Sequence, residues 1–126
     1  MPHTITIMPE TQGCTLCLRL TGTIAADDFI NKFGDRVRDI AEKYNHYDLY
    51  ILYDEHFEGW SREAADLSFK NIAQYSPKAR RLAYVNAPES RILMMKMLKP
   101  MMNAEVRYYN LSEKDEALAW VQAAPL

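Results

Sequence analysis

The sequence predicts an α/β fold: a mixed sheet of about five strands, the first two an antiparallel hairpin and the rest joined by helices, with about four helices in all. Three observations carry this expectation. Residues 4–21 alternate polar and apolar side chains at period two around a turn-rich stretch, the pattern of a hairpin. After Gly22 the period switches to a helical one, and helical and strand-like segments then succeed each other to the end. Between them Leu49 to Tyr53 is an unbroken apolar run, which leaves both faces of a strand dry and suits the middle of a sheet covered on both sides.

Each element has a local cause. Thr4 to Met8 alternates, Pro9 to Gly13 supplies turn residues, and Cys14 to Thr21 returns as the second strand. Its Cys14-x-x-Cys17 spacing suggests redox chemistry or zinc. In a strand, however, side chains three apart face opposite ways, and a rise of about 3.3 Å per residue separates their Cα atoms by roughly 10 Å, beyond the ~7 Å limit of a disulfide. Both thiols are therefore expected to be inert, with Cys14 in the core. Phe29, Ile30, Phe33, Val37, Ile40, Ala41 and Tyr44 then recur at helical spacing, with Asp27 and Asp28 in the first turn, where the helix dipole favours acids.

The central strand delivers Asp54, Glu55 and His56 into an expected turn holding Gly59, Trp60 and Ser61. Ser61 is placed to cap a second helix, about Arg62 to Tyr75, which Pro77 ends. Arg81 to Asn86 reads as a further strand, so the connection is a right-handed crossover. Pro88 opens a third helix, Glu89 to Leu98, which Lys99-Pro100 closes. Ala104 to Tyr109 makes the last strand, and Ser112 with Asp115 is expected to cap a final helix running through Ala123.

Composition narrows the function. The 126 residues are enough for one domain spanning 1–126, and 48% apolar residues fill its core. A net charge of −2 argues against a nucleic-acid partner, which calls for a basic excess. No apolar run has the length of a membrane span, and Met1 to Met8 lack the plan of a signal peptide, so the expected location is cytoplasmic or peripheral to a membrane. His3 and His46 read as surface residues.

The order of elements, the Phe57-Glu58-Gly59-Trp60-Ser61 segment, the Ala104-Glu105-Val106-Arg107-Tyr108-Tyr109 strand and the closing Glu116-Ala117-Leu118-Ala119-Trp120 together resemble the SpoIIAA-like family of bacterial proteins, related to STAS domains. The resemblance covers nearly the whole chain. It implies a STAS-like sheet backed by helices and a non-enzymatic, regulatory or ligand-binding role, with a taste for apolar ligands or membranes. It also implies a side-chain oxygen capping the first helix, where this chain has Ala25. STAS-fold anti-sigma-factor antagonists carry an Asp-Ser-Ser-Gly phosphorylation motif that is missing here. Only Ser61 could accept the phosphate, and Asp54, Glu55, Glu58 and Glu63 would repel it.

Asp54, Glu55 and His56 offer acids and an imidazole at the carboxyl end of a strand, where open α/β sheets place ligands. Neighbours in an extended chain point alternately, and neither a nucleophile–base pair nor a metal-ligand trio is evident. No catalytic residue, metal site or cofactor is assigned. Asp54, His56 and Trp60 remain candidates for ligand contact.

The third helix and its tail are the most informative for function. Eight of the eleven residues from Ile92 to Met102 are apolar, and five of the seven methionines fall there. They sweep roughly 200° of a helical wheel, whereas packing on a sheet needs about 100°. Either the fold buries the helix on two sides, or the excess meets an apolar or lipid-like ligand, a membrane surface or a second copy in a homodimer, roles that adaptable methionine suits. Met94, Met95, Leu98 and Met102 are the candidate contacts. The wheel places Met94, Met97 and Met101 toward the sheet and Met95 and Met102 on the open rim beside Lys96 and Lys99. Charge is uneven too: residues 48–66 hold six acidic side chains and one basic, residues 78–107 seven basic and two acidic. The favoured function is a non-catalytic module binding an apolar or amphipathic ligand. The alternative is a protein-interaction module of the anti-sigma-factor-antagonist type, acting through Glu58 to Ser61.

Overall fold

A computed structural model describes residues 4–123. One five-stranded sheet carries the architecture, in the order β1 (Ile5–Ile7), β2 (Thr15–Ile24), β3 (Tyr47–Trp60), β4 (Ala79–Val85), β5 (Glu105–Tyr109). β1 runs antiparallel to β2, with Ile5 opposite Leu20 and Ile7 opposite Leu18, and every other pairing is parallel. Because β2 to β5 succeed one another in the same direction, right-handed crossovers put every connecting helix on one face. These are α1 (Ala26–Phe29) with α2 (Asp35–Tyr44), α3 (Arg62–Tyr75) and α4 (Glu89–Leu98). Only α5 (Lys114–Gln122), which follows the last strand, covers the other face.

The central strand meets both layers as its composition requires. Tyr47, Leu49, Ile51 and Tyr53 join the larger core with Leu16, Leu18, Leu20, Phe29, Phe33 and Val37. Tyr50 faces the smaller core beneath α5, with Cys17, Ala83, Val85, Ala117 and Val121. At the amino end of β3 the buried Asp48 carboxylate receives Arg80 through Nε (3.0 Å) and Nη2 (2.6 Å), and the Arg81 N–H at 3.1 Å, joining β3 to β4.

Four local expectations change. The buried thiol is Cys17, which burial pushes up to about 12, while Cys14 is half-buried. Its strand starts one residue later, because Gln12 and Thr15 pair across a tight turn that holds Gly13 at φ 56° and Cys14 at its corner. The first helix is one rod of α1 and α2 joined by a π-helical turn, Ile30–Gly34. Such a wide turn takes up part of the roughly 40° by which each i+4 step advances round an α-helix, so Phe29, Phe33, Val37 and Ala41 all stay buried. The box before α5 is built by Asn110 and Glu113 around a short 3-10 turn, not by Ser112 and Asp115. Finally, the segment through Gly59 and Trp60 is no turn but the continuation of β3. Phe57, Gly59 and Trp60 pair with Gly22, Thr23 and Ile24, and glycines at positive φ on both strands absorb the irregular register.

The largest correction concerns the rotation of α4. Arg91 points inward, only 8% exposed, and Met95 and Leu98 fall within about 40° of it on the wheel. Met95 is fully buried, with the Tyr84 hydroxyl donating to its Sδ at 3.4 Å, and Met102 is buried beyond the short turn Lys99–Met101. Met95 and Met102 therefore belong to the core rather than to an open rim. Leu93, Met97 and Met101 are 62%, 71% and 64% exposed, so Met97 and Met101 face away from the sheet instead of toward it.

Two outcomes follow for stability. Ala25 is the N-cap of α1, extended at φ −90° and ψ 155°, with no side-chain bond to the helix. Ala25→Ser is expected to gain about 1 kcal/mol, and an unchanged denaturation midpoint would show that the cap position gains nothing from an oxygen. Met95→Ala is expected to cost about 2–5 kcal/mol as a core truncation, and Met97→Ala to stay within about 0.5 kcal/mol as a surface change. Urea unfolding of the two variants side by side checks the rotation of α4 directly.

Candidate functional site

The strand order splits the residues singled out from the sequence between two faces. Asp54 lies on the α5 side, in the same phase as Arg19, which donates to it through Nε at 3.2 Å and brings Nη2 within ion-pair distance at 3.1 Å. Between the pairs Leu20–Tyr53 and Gly22–Phe57, β2 has one residue and β3 has Asp54, Glu55 and His56, so β3 bulges there. Asp54 Oδ1 accepts the His56 N–H at 2.9 Å and so ties the bulge to itself. Burial pushes the Asp54 carboxyl up, but the His56 N–H, the Thr21 hydroxyl and Arg19 outweigh it and hold the group below the usual carboxylate range. The fold already uses this carboxylate. The His56 side chain is exposed on the bulge.

Trp60 ends β3 on the opposite face, beneath α3 and α4. Its indole meets Phe29 edge-on at 6.0 Å and Phe57 at 6.4 Å. Next to it Ser61 caps α3, its Oγ accepting the Ala64 N–H at 3.1 Å as the sequence suggested. Above the indole stands Arg91, its guanidinium carbon 4.5 Å from the ring centroid, with Nη1 donating to Ser68 Oγ of α3 at 2.9 Å. Burial pushes the Tyr53 hydroxyl below them up to about 12, with the Arg91 charge pulling the other way.

No residue periodicity flags Arg91, because a guanidinium in a helix is ordinarily read as solvent-facing. Its surroundings are unusual for a buried cation. The exposed Arg19 and the partly buried Arg80 each have a carboxylate, but among the described residues none lies within ion-pair distance of Arg91. Stacking on an indole contributes about 2 kcal/mol when desolvated, and one hydrogen bond to a hydroxyl adds a similar amount at most. Removing an ion from water costs several kcal/mol, so the site holds a cation whose desolvation is only partly offset. Beside it Trp60 Nε1 is buried and lacks an acceptor, which costs a further ~1–3 kcal/mol.

Outside this pair runs an apolar groove of about 330 Å³ between α3 and α4, lined by Phe69, Ser90, Leu93, Met94, Met97 and Leu98. Phe69 is itself 48% exposed, and Lys96 is exposed on the neighbouring turn. Of the methionine-helix candidates, Met94 and Leu98 thus line an open surface, whereas Met95 and Met102 do not. Leu93, Met97 and Phe69 are the surface residues that the sequence reading passed over. The i, i+4 spacing of Leu93, Met97 and Met101 was the available signal for a continuous ridge.

The fold has counterparts among known proteins. A solved structure of an uncharacterised protein of the DUF3478 family with a SpoIIAA-like fold, from Shewanella loihica PV-4, superposes with a TM-score of 0.63 at 18% identity over 96% of each chain. At that identity the likeness speaks for the fold. Cobyrinate a,c-diamide synthase of Clostridium acetobutylicum is 33% identical over 99 residues, which are 79% of this chain but 22% of that protein. The chain thus spans a small part of that relative's length. A family model described as SpoIIAA-like matches residues 15–122. With a mixed sheet in the order β1 to β5 and its helices placed as above, the chain belongs to the SpoIIAA-like family.

Proposed function

We propose that this SpoIIAA-like domain is a non-catalytic binding module that takes lipid-like amphiphiles, at an anionic membrane surface, on the open face of α4. The observation that carries the reading is the ridge of Leu93, Met97 and Met101, all more than three-fifths exposed, continued by Phe69 across the groove. Such a contiguous apolar strip supports an interaction surface over ordinary scattered exposure. Burying each of these side chains yields about 1.5–3 kcal/mol, and a lysine near anionic headgroups adds about 1 kcal/mol. Apolar burial therefore dominates, and Lys96 and Lys99 tune it. Among the described residues no helix is long and apolar enough to cross a membrane, so contact of this kind is peripheral. The engagement of Asp54 by Arg19 and by the His56 backbone, on the sheet face away from Trp60, supports a binding role over catalysis.

Family membership also suits a protein-interaction module of the anti-sigma-factor-antagonist kind. Here the phosphoacceptor position belongs to Ser61, whose Oγ is already bonded to the start of α3. We favour the lipid reading because the exposed apolar surface is made by side chains of α4 and by Phe69, none of them part of that cap.

Two measurements separate the readings. Vesicle co-sedimentation with zwitterionic and with mixed anionic liposomes is expected to show binding by the wild type, stronger on the anionic ones. Leu93→Gln with Met97→Gln is expected to weaken it at least about tenfold while the urea midpoint stays put. Equal binding by the double variant would remove the α4 face from consideration. Ser61→Asp is expected to fold as stably as the wild type, because Asp caps as well as Ser, and Ser61→Ala to lose about 1 kcal/mol. A protein partner that Ser61→Asp loses and Ser61→Asn keeps would favour the interaction module instead.

A further inference from the structure

A cation without a counter-ion and a buried N–H without an acceptor stand together under α4. Arg91, 8% exposed, sends Nη1 to Ser68 Oγ at 2.9 Å, and among the described residues no carboxylate answers its charge. Among the described residues Nε and Nη2 form no hydrogen bond, and neither is fully shut off from solvent. The indole under the guanidinium has its own Nε1–H buried and unpartnered. An arginine cannot escape such a position by losing its proton. What both groups lack is a negatively charged acceptor.

We propose that Arg91, Trp60 and Ser68 form the head-group subsite for a single-chain carboxylate, a fatty acid, whose hydrocarbon chain lies in the groove of Phe69, Leu93, Met94 and Met97. The inference rests on the lipid reading of α4 and specifies its ligand. Helix geometry ties the subsite to the groove: Arg91, Met94 and Leu98, at i, i+3 and i+7, share one face of α4, and Met94 and Leu98 line the groove. The free side of a guanidinium offers two parallel N–H groups, which match the two oxygens of a planar carboxylate. Charge decides between head groups. One cation balances a monoanion, whereas a phosphate monoester carries nearly two negative charges at neutral pH and calls for a second cation. Among the described residues the site supplies none.

Isothermal titration of the intact protein with dodecanoate, dodecanol and dodecyl phosphate, each below its micellar concentration, tests the assignment. Dodecanoate is expected to bind at least about tenfold more tightly than dodecanol, the worth of a charge-assisted hydrogen bond, and more tightly than the phosphate. Arg91→Met should bring dodecanoate down to the level of dodecanol while raising the urea midpoint of the ligand-free protein, because it removes a buried charge without a counter-ion. Trp60→Phe should weaken dodecanoate and leave dodecanol unchanged. Equal binding of dodecanoate and dodecanol by the wild type, or a lower midpoint for Arg91→Met with the dodecanoate preference kept, would overturn the subsite and leave the lipid face standing. Tighter binding of dodecyl phosphate would replace the carboxylate by a phosphate head. Failure of the wild type to bind any of the three would overturn the subsite; loss of vesicle binding as well would remove the lipid reading with it.

Discussion

The constraint on which the rest of the structure depends is the need to cover β3 on both faces. A strand in which Tyr47, Leu49, Ile51 and Tyr53 face one way and Tyr50 the other has no wet side, and a parallel neighbour on each flank denies it an edge. Helices must then lie above and below. The right-handed crossover rule assigns all the connecting helices to one layer, because the strands advance across the sheet in a single direction. The other face is left to the one helix with freedom to choose, α5, and Arg81 fixes its end by donating Nη1 to the Trp120 and Ala123 carbonyls.

That imbalance shapes the candidate site. Three crossovers share one face, and the last of them, α4, packs at the margin of the layer beside α3 alone. A helix at such a margin has one side on the sheet and another without a neighbour. Its apolar residues are too many for the first side. Arg91 settles how they are divided, since its seat over Trp60 and against Ser68 sets the helix rotation and sends Met95 and Leu98 inward. Leu93, Met97 and Met101 are left outward as a consequence.

The long β3 contributes the other half of the arrangement. Had the chain turned at Asp54, Trp60 would not lie under α4. Instead bulges carry the strand on past His56, with Asp54 held by Arg19 on the far side, and deliver the indole beneath the helix layer before Ser61 starts α3. The acid and imidazole that attract notice in the sequence thus act as a brace, and the residue just beyond them supplies the surface for a cation.

Much of this was legible in the chain. Period-two and helical repeats gave the element order and the mixed sheet, since each period is fixed by backbone geometry over a few residues. Ser61 as a cap and Pro88 as a helix start were equally local. The apolar excess of α4 was a matter of counting. What tertiary structure decided was every property that depends on a partner distant in sequence. Cys17 is buried because α5 covers the sheet face it points to, and the turn from Gln12 to Thr15 moves Cys14 off the strand. β3 continues beyond Tyr53 because Gly22 and Gly59 adopt positive φ on facing strands and let the ladder resume. The rotation of α4 could not be read from its own residues at all, because a wheel apolar over roughly 200° has no preferred inward side. Ser68 and Trp60, 23 and 31 positions before Arg91, supply that preference by giving a charged side chain somewhere to point inside the protein.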